Sequence, residues 1–238
     1  MFDFSDRVAL VTGAGGNLGN AVAHAFYAAG AKLVLVERSA EKLHKAFPES
    51  AGSPDRLLIA AADLSDPESV HTMLDVALAR FGQVDIAANT VGGYRAGKPV
   101  QETSLETWDF MLSLNARTAF VLSQAVIPHM LGRKYGKIVH VSARAGLEGT
   151  AKHSAYSISK SAVIRLTESL GAELRHQGIN VNCVLPGTID TPQNRQEMPN
   201  ADHSRWVPPE AIADVVLFLA SDAARAINGA AIPVYGRS

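Results

Sequence analysis

The chain has 238 residues, 47% of them apolar and 19% charged, with 22 basic side chains against 23 acidic ones. A formal net charge of −1 leaves no electrostatic footprint for nucleic acid or an anionic membrane. The single cysteine, Cys183, excludes an internal disulfide, and no His or Cys spacing suits a metal, so no metal site is expected. The N-terminal residues lack the basic-then-apolar order of an export signal, and no apolar run approaches the roughly 18 residues of a membrane span. A soluble, cytoplasmic protein with one domain over residues 1–238 is expected.

In chain order, short β-branched apolar runs at 8–12, 33–36, 57–60, 84–88, 137–141, 179–185 and 231–234 predict strands. Several are apolar on both faces, as a parallel sheet covered by helices requires. Helices are predicted between them, at about 18–29, 40–46, 67–81, 104–131, 155–177 and 209–221. Ser65 or Asp66 before Pro67, and Pro208-Pro209 before Glu210, mark helix starts. This alternation predicts a single-domain, doubly wound (Rossmann) α/β fold: a parallel sheet of about seven strands with helices on both faces. Residues 192–206 are polar and show no periodicity. They read as a solvated loop or as a substrate lid, because they follow the carboxyl end of a strand, where open α/β sheets bind ligands.

Directly after the first strand comes Thr12-Gly13-Ala14-Gly15-Gly16-Asn17-Leu18-Gly19, opening a helix. Glycine permits positive φ and close backbone approach, and a helix N-terminus offers unpaired N–H groups and a positive dipole end to a pyrophosphate. The second strand ends at Glu37-Arg38. Glu37 accepts from ribose hydroxyls and repels a 2′-phosphate, whereas the Arg38 guanidinium attracts one. Glu37 holds the strand-end position itself, so NAD(H) is favoured over NADP(H). Asp63, beyond the third strand, is either an acceptor for the adenine amino group or a helix cap. Further on, Tyr156 and Lys160 lie four residues apart and hence side by side on a helix. A cation beside a phenol favours the phenolate, so the pair can exchange a proton near neutral pH.

Together these motifs resemble the short-chain dehydrogenase/reductase family over nearly the whole chain. The resemblance rests on the Thr12–Gly19 turn, Asp63, Asn89 with Gly92, Asn115, Tyr156 with Lys160, and the Pro186-Gly187-Thr188-Ile189-Asp190-Thr191 segment. It implies NAD(P)-linked hydride transfer, with Tyr156 as proton donor or acceptor, Lys160 binding the nicotinamide ribose and lowering the tyrosine pKa, and Asn115 anchoring a relay water. It places Gly13, Asn17, Leu18, Gly19, Glu37, Arg38, Asp63, Leu64, Asn89 and Gly92 along the dinucleotide. Pro186, Gly187, Ile189 and Thr191 then fall at its nicotinamide end. It also implies a homodimer or homotetramer built on the long helices at 104–131 and 155–177, whose apolar faces exceed what a sheet needs.

Two positions depart from that pattern. Asn17 stands where a second glycine is usual, and asparagine tolerates left-handed backbone. Ala143 stands where a catalytic serine is usual, and neighbouring Ser142 should point to the opposite face of its strand. Loss of a donor to the substrate oxygen costs about 10²–10³ in rate at comparable sites, so either a substrate needing less polarisation or a slower enzyme is expected. Residues 90–97, 143–150 and 190–206 resemble the dihydropteridine reductases, which implies a quinonoid substrate beside Tyr94 and Ala143, with Arg195, Met198 and Trp206 lining the lid or docking it. A dinucleotide-binding sensor or oligomer partner that has lost catalysis is the alternative reading. Cys183 reads as a small core residue.

Overall fold

Residues 2–237 are described by a computed structural model, the side chains of Glu49 and Ala51 excepted. The strands are β1 (Val8–Thr12), β2 (Lys32–Glu37), β3 (Leu57–Ala61), β4 (Ile86–Asn89), β5 (Gly136–Val141), β6 (Ile179–Pro186) and β7 (Ala231–Val234). All pair in parallel, in the order β3-β2-β1-β4-β5-β6-β7. The chain starts at the centre, builds outward through β2 and β3, then crosses over to β4. The order therefore reverses between β1 and β4, which is where such sheets open a ligand crevice.

Strand periodicity splits the core into two layers. Ala9 and Val11 of β1 join Leu33, Leu35 and Ile86 beneath α1 (Asn17–Ala28) and α8 (Pro209–Ala220). Val8 and Leu10 point to the other face and join Val34, Val36 and Ala87, covered by α3 (Pro67–Phe81) and α5 (Thr118–Arg133). The buried Cys183 belongs to a small cluster with Ile164 and Leu185, and burial pushes its thiol up to about 11, which makes it a poor nucleophile.

Helix ends follow local chemistry. Of the two candidates before Pro67, Asp66 caps α3, its side chain accepting from Glu68 N–H at 3.1 Å, and Gly82 ends the helix at φ 73°. Three expectations need correction. The helix expected at 104–131 is α4 (Leu105–Met111), a π turn at Leu112–Arg117 that contains Asn115, and α5. The whole stretch Leu105–Arg133 is, by length and composition, apolar enough to cross a membrane; half of its most apolar window is buried in the fold, as in the core helix of a folded domain. The aperiodic 192–206 segment contains a short helix, α7 (Pro192–Glu197), capped by Thr191 accepting from Asn194 N–H at 3.1 Å.

Candidate active site

Steric necessity at the turn after β1 is concentrated at Gly19. A Cβ there would lie 2.1 Å from the Gly13 carbonyl oxygen and 2.6 Å from Thr90 Oγ1. Gly13 itself has φ +66°, and Thr90 Oγ1 donates to the Thr12 carbonyl at 2.6 Å. Thr12 Oγ1 donates in turn to Asn89 Oδ1 at 2.7 Å, joining the carboxyl ends of β1 and β4 under the crevice. Asn17 needs no left-handed backbone: it is the first residue of α1 after an extended Gly16, and the non-glycine residues at positive φ are Lys134 and Lys152. Leu18 packs partly against the core. A cavity of about 710 Å³ opens between this turn and the segment beyond β6, lined by Gly15, Gly16, Asn17, Asp190, Pro192 and Glu210 among others. That volume falls in the range of small-ligand sites. Tyr156 and Lys160 are not part of its lining.

At the end of β2 the Glu37 carboxylate is already engaged. Its Oε1 accepts from Arg38 N–H at 3.1 Å and its Oε2 from Lys42 Nζ at 2.9 Å. Lys42, on α2 (Ala40–Ala46), was not singled out in the sequence. Asp63 is no helix cap: its Oδ1 accepts from both N–H and Oγ of Ser65, which together with the Arg38 charge hold its carboxyl below the usual range. Leu64 is buried among core residues, which leaves its backbone to face a ligand.

Tyr156 and Lys160 stand on the first turns of α6 (Ser154–Leu174). Lys160 is buried and its ammonium donates to the Val141 carbonyl at 3.0 Å. Asn115, in the π turn, accepts from Gly93 N–H at 3.0 Å and donates to the Gly93 carbonyl at 3.1 Å and Ser159 Oγ at 2.9 Å. A Cβ on Gly92 would lie 2.9 Å from both Asn115 Oδ1 and Lys160 Nζ. The absence of a side chain there leaves room for both polar heads beside Gly92. Ser159 has no signature of its own in the sequence beyond its position on the same helix face.

One expectation fails in this state. Lys160 does not lower the acidity barrier of Tyr156. Burial, reinforced by neighbouring Tyr94, pushes the phenol up to about 12, while burial pushes the Lys160 ammonium down to about 8. The ammonium is spent on the Val141 carbonyl and both groups are desolvated, so the charged form of each is disfavoured. In a phenolate absorbance titration, wild-type protein minus Tyr156→Phe should therefore show no ionisation near pH 10, the ordinary value. A step there would contradict the burial argument.

Tyr94 stands edge-on to Tyr156, ring centroids 4.9 Å apart, and 59% of it is exposed toward solvent. Its hydroxyl lies 2.9 Å from His153 Nε2, and His153 Nδ1 lies 2.8 Å from the Ala151 carbonyl. A carbonyl only accepts, so Nδ1 carries the proton in neutral His153 and Tyr94 donates to Nε2. His153 is a further site residue; its place one helical turn before Tyr156 was the available signal.

At Ala143 the backbone is extended, and the preceding Ser142 Oγ is buried and donates to the Lys160 carbonyl at 2.7 Å. Ser142 thus faces away from the cleft, as strand alternation requires. Beyond β6, Gly187 N–H donates to the Val234 carbonyl and Ile189 bridges to Val207. Arg195 forms a two-pronged pair with Asp190 at 2.5 and 2.7 Å, its side chain still half exposed. Trp206 is buried with its ring 4.4 Å from that of His203, a contact within the 192–206 segment, whereas Met198 is exposed.

Comparison with known proteins bears on the family and the fold. Residues 7–202 match the model of the family described as short chain dehydrogenase. A D-threitol dehydrogenase of Mycolicibacterium smegmatis is 34% identical, covering 99% of this chain and 94% of its own length. A 2-(R)-hydroxypropyl-CoM dehydrogenase of Xanthobacter autotrophicus is 33% identical, covering 97% of both. The solved structure of an NAD+-bound xylitol dehydrogenase superimposes with a TM-score of 0.90 at 28% identity, covering 98% of this chain and 99% of that one.

Proposed function

Because the chain belongs to the short-chain dehydrogenase family, and is by that membership an oxidoreductase with a nicotinamide cofactor, we propose that it transfers a hydride between NAD(H) and a carbonyl, alcohol or quinonoid compound, with Tyr156 as the proton donor or acceptor. The observation that carries this reading is the convergence at Gly92 of Asn115, from the π turn, and Lys160, from the helix that also carries Tyr156, close to the Gly13–Gly19 turn.

The site fits a dinucleotide. Gly13 and Gly19 let the backbone fold tightly enough for the first turn of α1 to face a pyrophosphate. Glu37 would orient the adenosine ribose, Asp63 and Leu64 would border the adenine, and Asn89 and Gly92 would line the path toward the nicotinamide. Pro186, Gly187, Ile189 and Thr191 would border the nicotinamide carboxamide. Bound there, the nicotinamide supplies or takes the hydride. Lys160 would then exchange the Val141 carbonyl for a ribose hydroxyl, which would leave its charge to favour the phenolate. In the reductive direction Tyr156 would give its phenolic proton to the substrate atom left negative, and in oxidation it would take that proton back.

Ala143 offers the substrate oxygen a methyl group. An electron-poor quinonoid ring, such as a dihydropterin, accepts hydride with little polarisation, and Tyr94 supplies an aromatic wall beside Tyr156. The 192–206 segment acts as the lid, latched through Asp190–Arg195. Exposed Phe110, Phe120 and Ile158 on α4, α5 and α6 form the apolar faces on which two or four copies assemble.

Purified protein with NADH and a panel of quinonoid dihydropterin, quinones and simple ketones tests the reading. Turnover is expected on a quinonoid compound, and Ala143→Ser should raise kcat/KM for a simple ketone by about tenfold or more while leaving the quinonoid rate nearly unchanged. NADH binding without turnover of any compound would replace this reading with a dinucleotide sensor.

A further inference from the structure

The adenosine end of the crevice carries a charge arrangement that the strand-end carboxylate alone does not describe. The stem of Lys42 lies across the glycine turn: a Cβ built on Gly15 would meet its Cγ, Cδ and Cε at 3.1 Å. From there its ammonium reaches Glu37 Oε2 at 2.9 Å. Glu37 is largely buried, with 15% of its side chain exposed, whereas Lys42 is 52% exposed. The carboxylate is therefore fixed and the ammonium is the mobile partner. Arg38 follows Glu37 directly, giving its backbone N–H to the carboxylate while its charge acts on Asp63, so Lys42 is the cation paired with Glu37 where a ribose 2′ substituent would sit.

Resting on the dinucleotide reading above, we propose that Lys42 is a cofactor-selectivity residue: it neutralises Glu37 and moves to a ribose 2′-phosphate when one is present, so that the chain binds NADPH as well as NADH. An exposed ion pair is worth little and opens easily, whereas a charge-assisted bond from an ammonium to a phosphate is strong. Without the phosphate, Lys42 stays on Glu37 and holds the carboxylate toward the ribose hydroxyls. With it, Lys42 and Arg38 offset the added charge together. An unpaired Glu37 would instead meet the phosphate with uncompensated repulsion.

Equilibrium titration with NADH and NADPH, followed by nicotinamide fluorescence, tests this in wild type, Lys42→Met and Lys42→Arg. Methionine keeps the stem over Gly15 and removes only the charge. Wild type is expected to bind NADPH within about tenfold of NADH, and Lys42→Met to raise the ratio of the two dissociation constants by about fivefold or more, through weaker NADPH binding. Lys42→Arg should keep the wild-type ratio. A smaller change in the ratio, or equal weakening of both cofactors, overturns the proposal. Wild type that binds neither dinucleotide would overturn the dinucleotide reading itself.

Discussion

Replacing Tyr156 by phenylalanine is expected to lower kcat by about 10²–10⁴-fold, the range contributed by a positioned general acid, with NADH affinity unchanged. The substitution removes one oxygen from a half-buried ring. The edge-on contact with Tyr94 at 4.9 Å survives, because it depends on the ring and not on the hydroxyl. Burial holds the phenol near 12, so removing its hydroxyl leaves no charged partner stranded in the fold. The loss should therefore fall on kcat and not on stability or cofactor binding. Steady-state kinetics beside an NADH titration check this. A weaker NADH affinity with kcat preserved would show that Tyr156 is a wall of the binding site and not its acid.

The second large effect is expected at Gly19. In Gly19→Ala the added methyl would meet the Gly13 carbonyl oxygen at 2.1 Å, its carbon at 2.6 Å and Thr90 Oγ1 at 2.6 Å. Two of these are backbone atoms at the turn, so no side-chain rotation relieves the clash. Overpacking of this kind costs about 1–3 kcal/mol, and a displacement near 1 Å at a positioning loop costs about 10² in function. NADH affinity should fall by that order and the urea midpoint should drop. Gly132→Ala is the control, since a Cβ there meets nothing within 4 Å; it should leave NADH binding intact. Equal NADH affinity in Gly19→Ala and wild type would remove the turn from the binding site.

Much of this arrangement was legible from the residues alone, for physical reasons. β1 is Val-Ala-Leu-Val-Thr, buried throughout, and a run of that kind fits only a strand covered on both faces. Pro67 after Asp66 starts a helix under any tertiary context. Tyr156 and Lys160 share a helix face by spacing, and Ser142 turns from the cleft because strand neighbours alternate. What stayed hidden depends on contacts with no local period. The π turn at Asn115 inserts one residue into a helix whose apolar pattern continues on both sides. Tyr94 and His153 meet across 59 residues of chain. Lys42 reaches Glu37 over a strand-to-helix junction, where neither periodicity applies. The pairing of Arg195 with Asp190 crosses the start of α7 over five residues, a contact no periodicity announces. Spacing shows that a cation lies near Tyr156 but not that, without a cofactor, its ammonium is committed to the Val141 carbonyl.

The most direct measurement is a crystal structure with NADH bound. The account predicts the pyrophosphate over Gly13–Gly19, the Lys160 ammonium moved from the Val141 carbonyl to the nicotinamide ribose, and the nicotinamide C4 on the side of the Tyr156 hydroxyl, with a substrate's width between them. A nicotinamide ring lying elsewhere, with Lys160 still on Val141 and Tyr156 out of reach of C4, would contradict it.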